Sequence, residues 1–160
     1  IRKLKDGVED GIPEPDPVLE ISVDGYIPDD YIADPRYKLE LYRRFAGLDY
    51  GEKDDLLDEI IDRFGEPPEE VEVLWRVACL RALCRLLHIR GISVKPGELR
   101  ITFAENAAID PTALMQLISE QQQYMNFKSG VQAQLIFRTV KLKTDSLTWL
   151  EKNLPRLAFD

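Results

Sequence analysis

The stretch from Pro68 to Leu87 constrains this chain more than any other. At about 100° per residue it sets Val71, Trp75, Ala78, Ala82 and Leu86 along one side of a helix. Val73, Val77, Leu80 and Cys84 lie along another side, with Glu69, Glu72 and Arg76 between the two rows. A helix that is apolar on two sides needs a layer of structure against each, so it is the expected spine of the domain.

The flanking segments supply those layers. Val18–Val23 partly alternates and reads as a first strand ended by Asp24-Gly25, and Tyr26–Ile32 as an irregular segment packed on the body. Asp34-Pro35 pairs an N-cap with a proline at the first helical position, and Tyr37, Leu41 and Phe45 follow at helical spacing up to a stop near Gly47. A second helix is expected from near Asp54 to Phe64, with Gly65 past its end. After the spine, Ile92–Val94 and Leu99–Phe103 flank Pro96-Gly97 as a hairpin with a type II turn. Asp110-Pro111 starts a fourth helix, Ala133–Val140 reads as a strand, and Asp145 caps a last helix that Pro155 stops. The expected class is α+β: a helical first half packed with a small antiparallel or mixed sheet made of the hairpin and the later strand. Residues 1–17, with Pro13, Pro15 and Pro17 among acids, read as a linker or arm, leaving 18–160 as one domain.

The 160 residues are 44% hydrophobic, enough for a core of their own, and no run approaches the roughly 20 apolar residues of a membrane span. With no basic-then-apolar leader at its start, the chain is expected in the cytoplasm, and Ile1 in place of methionine suggests a piece of a longer polypeptide. The net charge of −8 argues against blanket neutralisation of phosphates, but it hides a split: residues 1–72 carry −13 and residues 73–160 carry +5. Such asymmetry points to a charged partner surface.

Several chemistries find no foothold. Cys79 and Cys84 fall about 140° apart on a helix, unsuited to a disulfide or to chelation, and read as small core residues. His88 is the only histidine, outside any metal or nucleophile motif, and is expected to end the spine helix. Asp58-Glu59 resembles the magnesium-binding acids of a helicase motor, yet the chain has no Gly-Lys dipeptide with which to cradle a phosphate. No catalytic, metal-binding or cofactor-binding residue is therefore assigned.

The second helix offers something else. Leu57, Ile60, Ile61 and Phe64 gather on one side, whereas Asp55, Glu59 and Asp62 gather on the opposite one with Arg63 beside them, joined by Glu52 if the helix begins that early. Clustered like charges cost a few tenths of a kcal/mol per pair in isolation, which a basic partner surface would relieve. Arg81 and Arg85, striped with His88, are expected to lie over the core or pair with the acidic half. Lys95, Arg100, Arg138, Lys141 and Lys143, with Tyr124 and Phe127 upstream, support the alternative of a nucleic-acid-binding appendage.

Tyr26-Ile-Pro-Asp-Asp-Tyr31-Ile32, Leu39-Glu-Leu-Tyr-Arg-Arg-Phe45, Glu59-Ile-Ile-Asp-Arg-Phe-Gly65 followed by Pro68, and Ile101-Thr-Phe-Ala-Glu-Asn106 recur here in a specific order and spacing. Over essentially its whole length the chain resembles the C-terminal domain of bacterial transcription-repair coupling factors, the Mfd family. The resemblance implies a non-catalytic regulatory domain of an ATP-driven DNA translocase that couples transcription to nucleotide excision repair. ATP and Mg would belong to the motor of the parent protein, from which residues 1–17 would lead. The domain would dock on the parent's N-terminal UvrB-like module, mask its UvrA-binding surface, and meet UvrA, RNA polymerase and DNA only through the parent. The family's acid-x-x-acid-Arg docking pattern falls on Glu59, Asp62 and Arg63, within the acidic face that also holds Asp55. The glycine-rich connection Gly47–Gly51 departs from the Glu-rich helical start of the family.

Overall fold

In the computed structural model, which describes residues 16–159, the spine helix α3 (Glu69–Leu87) divides two hydrophobic cores. Val71, Ala78, Cys79 and Ala82 face a helical core, and Leu80, Leu83, Cys84 and Leu87 face a sheet core. The two-sided burial read from the sequence holds for Val71, Ala78 and Ala82 on one side and Leu80 and Cys84 on the other; Leu86, however, is 57% exposed, Val73 and Val77 are only half-buried, and Leu83 and Leu87 complete the sheet side.

The helical core is built from α1 (Pro35–Ala46), α2 (Lys53–Phe64) and the irregular segment before them. Asp34 caps α1 by accepting from the Arg36 N–H, and Leu41 and Phe45 are buried. Ile27 and Ile32 of the irregular segment are buried beside them, and the Tyr31 hydroxyl donates to the Gly65 carbonyl at 2.7 Å. A 3-10 turn, Tyr50–Glu52, leads into α2, so Glu52 precedes the helix rather than extending it. The buried side of α2 is Leu56 and Ile60, with Phe64 packed beside them; Ile60 and Phe64 are as expected, but Leu56 rather than Leu57 turns inward, and each full burial contributes about 1.5–3 kcal/mol.

The other core lies under a five-stranded mixed sheet of order β1-β2-β3-β5-β4: β1 (Val18–Glu20), β2 (Ile89–Lys95), β3 (Glu98–Phe103), β4 (Met125–Lys128) and β5 (Gln134–Arg138). β1 is shorter than read from the sequence and runs parallel to β2, with Val18 opposite Gly91. A Cβ on Gly91 would sit 2.9 Å from the Val18 carbonyl oxygen, so the approach of β1 depends on the missing side chain. The β2–β3 hairpin turns at Pro96-Gly97, where Gly97 has the positive φ of 81° that a type II turn requires. β4, an edge strand, was not expected from the sequence. α4 (Pro111–Glu120) and α5 (Ser146–Asn153), capped by Asp110 and Asp145 as expected, cover the inner face, and the Phe137 and Trp149 rings meet there 4.7 Å apart. Pro155 falls within a closing 3-10 turn, Leu154–Leu157.

Three arginines tie these layers together. Arg76 grips Glu151 of α5 at 2.7 and 2.8 Å, and Arg156 grips Glu120 of α4 at 2.6 and 3.0 Å. Arg85 donates to the Ala46 and Leu48 carbonyls, at 2.6 and 3.3 Å, and to Asp16 at 3.1 Å, satisfying acceptors at the end of α1. Apart from Asp16 and Pro17, the expected arm of residues 1–17 lies outside the described residues.

Candidate functional site

Packing α1 against α2 brings the outer edges of the two helices together, and the residues there are charged. Arg44 of α1 holds Glu59 of α2 in a two-pronged pair, Nη1 to Oε2 at 2.7 Å and Nη2 to Oε1 at 3.0 Å. Nη1 of Arg63 reaches Glu59 and Glu40 at 3.3 Å each, closing a four-residue network. Its guanidinium also lies 4.8 Å from the Phe64 ring centre and 5.7 Å from that of Tyr37. Hydrogen bonds from Arg44, then from Arg63, hold the Glu59 carboxyl below its usual range. Hydrogen bonds to Glu40 and Glu59 keep Arg63 firmly protonated.

Asp55 and Asp62 stand differently. Both are exposed, and neither has an ion-pair partner among the described residues. A groove of about 330 Å³ runs beside Glu59, with Arg43 and Arg44 on its α1 wall and Glu52, Asp55 and Leu56 on the other. The acidic face read from the sequence therefore exists, but it is half-neutralised from within: Glu59 and Arg63 are fixed by α1, and Asp55 and Asp62 are left to solvent. The partners Glu40 and Arg44 were missed because they lie 23 and 15 residues away in sequence and join the site only through helix packing.

Elsewhere the candidate groups are engaged or silent. His88 ends α3 in a left-handed conformation with φ 56°, its Nδ1 3.0 Å from the Asn106 carbonyl oxygen. The hollow beside it holds Asp16, Cys84 and Arg85 but no hydroxyl side chain, and Asp16 is bound by Arg85. Burial pushes both cysteine thiols up to about 12. Among the described residues no three His, Cys, Asp or Glu side chains are grouped to hold a metal, and no helix is long and apolar enough to cross a membrane.

Two of the five basic residues singled out in the second half are engaged within the chain. Arg100 is spent on Glu98 and Gln134, at 3.3 and 3.1 Å, and Arg138 donates to the Gln123 carbonyl and lies over Tyr124. Phe127 packs against Phe103, with ring centres 6.4 Å apart, and Tyr124 packs against the sheet core.

A family model described as the TRCF domain matches residues 21–114, more than half of the chain. The chain is 37% identical over 102 residues to the transcription-repair-coupling factor of Bacillus subtilis, covering 62% of this chain and 9% of that protein. The proteins of the same name from Myxococcus xanthus and Escherichia coli are 32% and 28% identical over 67% and 87% of this chain. The chain spans about a tenth of the length of these relatives, 9% and 12% for the latter two. A crystal structure of the C-terminal domain of transcription-repair coupling factor superposes with a TM-score of 0.70 at 24% identity, over 89% of this chain and 94% of that one.

Proposed function

Because the chain belongs to the TRCF domain family, the C-terminal domain of transcription-repair coupling factor, we propose that it is a non-catalytic, autoinhibitory interaction domain. It docks through α2 on an N-terminal UvrB-like module of the same polypeptide and masks the surface that binds UvrA. ATP and magnesium serve a motor elsewhere in that polypeptide, and RNA polymerase and DNA reach this domain only through it.

One observation carries the reading: Asp55 and Asp62 lie exposed beside Glu59 and Arg63, whose positions α1 has already set. Fixed side chains lose little freedom on binding, and unpaired carboxylates next to them favour a cationic surface. An interface that must release on cue is better made of such polar contacts than of a broad apolar core.

The test replaces Glu59, Asp62 and Arg63 by alanine in the full-length polypeptide and measures UvrA binding without RNA polymerase. Binding rises if the domain masks that surface. If UvrA binding stays at the unmodified level, these residues do not form the latch.

A further inference from the structure

The docking face does not end at α2. Of the charged groups along the seam, Arg44 is committed to Glu59, Arg63 to Glu40 and Glu59, and Arg36 to its own cap Asp34 at 2.9 Å. Arg43 is exposed and has no ion-pair partner among the described residues. It stands at the junction of two hollows, the groove shared with Asp55 and a shallower one on α1 lined by Arg36, Leu39 and Glu40.

Leu39 precedes Arg43 by four residues on the same side of α1 and is 51% exposed. A lone exposed leucine means little. Here Tyr42, 39% exposed with its hydroxyl accepting the Ile27 N–H, flanks it, so an apolar strip borders an unpaired guanidinium. Tyrosine and arginine set together in this way are the residue types that anchor interfaces.

Resting on the docking reading above, we propose that the same partner surface continues onto α1. There it places an apolar side chain on Leu39 and Tyr42 and a carboxylate on Arg43, while its cations meet Asp55 and Asp62. The partner's contact is then bipolar, anionic over α1 and cationic over α2, which fixes one orientation of docking and penalises the reverse.

The experiment titrates this chain against the separately purified N-terminal module and compares Arg43→Glu, Leu39→Ser, Asp62→Asn and a control, Lys143→Glu, far from the seam. Arg43→Glu weakens binding by about tenfold or more and Leu39→Ser by about fivefold, and the control stays within about twofold. All four side chains are exposed, so thermal melts near that of the unmodified chain are required, and Arg43→Gln substitutes if Arg43→Glu folds poorly. If Asp62→Asn weakens binding but the Arg43 and Leu39 variants bind normally, the extension onto α1 is wrong and the docking reading stands. If the unmodified chain does not bind, or no variant matters, the docking reading fails and the extension falls with it.

Discussion

Glu59 and Asp62 are three residues apart on one helix, yet the structure gives them opposite duties, and neutralising each separately exposes the difference. Glu59→Gln removes a carboxylate that Arg44 grips at 2.7 and 3.0 Å. Both side chains are 40% exposed, so water and salt screen the pair, and its worth is about 0.5–1 kcal/mol at low ionic strength. For a domain of this size that loss lowers the melting temperature by about 1–4 °C. Asp62→Asn removes a carboxylate with no described partner in the last turn of α2, where the helix dipole disfavours negative charge. Its melting temperature is unchanged or rises slightly. The assay is circular dichroism melting at pH 7 and low salt for both variants, for Arg44→Gln and for the Glu59→Gln/Arg44→Gln double variant. The double-mutant cycle returns a coupling of about 0.5–1 kcal/mol, which shrinks when salt is added. Docking orders the variants the other way, with Asp62→Asn losing more affinity because its charge is not already spent. Zero coupling between Arg44 and Glu59, or an equal fall in melting temperature for Asp62→Asn, refutes this division of labour.

Other perturbations test the fold beneath it. Gly65 ends α2 at φ 90°, ψ −177°, a region open in practice only to glycine, so Gly65→Ala costs about 1–3 kcal/mol by urea titration although nothing crowds the site. Gly91→Ala drives a methyl to 2.9 Å from the Val18 carbonyl oxygen and loosens β1; hydrogen exchange quickens along β1 and the adjoining edge of β2, while the amides of β3 and β5 keep their protection. Asp145 accepts the Thr148 N–H at 2.7 Å, and that bond lowers its carboxyl below the usual value. A depressed folded-state value gives stability that is complete above the unfolded value near 4 and is lost as pH falls through the folded one, so Asp145→Asn flattens the acid limb of a melting-temperature profile below about pH 4. Cys79 and Cys84, with thiols pushed up to about 12, resist alkylation at pH 8 in the native chain and react once urea unfolds it.

Much of this architecture is legible in the linear pattern because its signals are local. Asp34-Pro35, Asp110-Pro111 and Asp145 mark three helix starts, and each aspartate accepts the backbone N–H expected of a cap. The double apolar surface of α3 foretells two cores. What escaped depends on partners distant in sequence. β4 is four residues long, and only its pairing with β5 makes a strand of Met125–Lys128. The buried side of α2 turns from Leu57 to Leu56 because α1 and α3 decide which side faces inward. The acidic face is legible as a cluster, and the Glu59–Arg63 pair as an i, i+4 contact, but the ties to α1 are not, since no helix period relates Glu59 to Arg44 or Arg63 to Glu40.

The charge asymmetry survives folding. Among the described residues the arginines that hold Glu59 and Glu40 come from the acidic half itself, and Glu151 and Glu120 are held by arginines of the basic half. Among the described residues only the Arg85–Asp16 pair crosses between the halves, so there the basic excess of the second half is not consumed in cancelling the acidic one. Asp55, Asp58, Asp62, Glu66 and Glu69 stay exposed along α2 and its connection to α3. Exposed charge of one sign accelerates encounter with a cationic surface far more than it strengthens the final complex. The residues that would set register, Glu59 and Arg63, are fixed beforehand by pairs that do not need the partner. On the docking reading proposed above, a face with register built in and charge left over engages quickly, in one orientation, and still lets go, which is the behaviour a releasable latch requires.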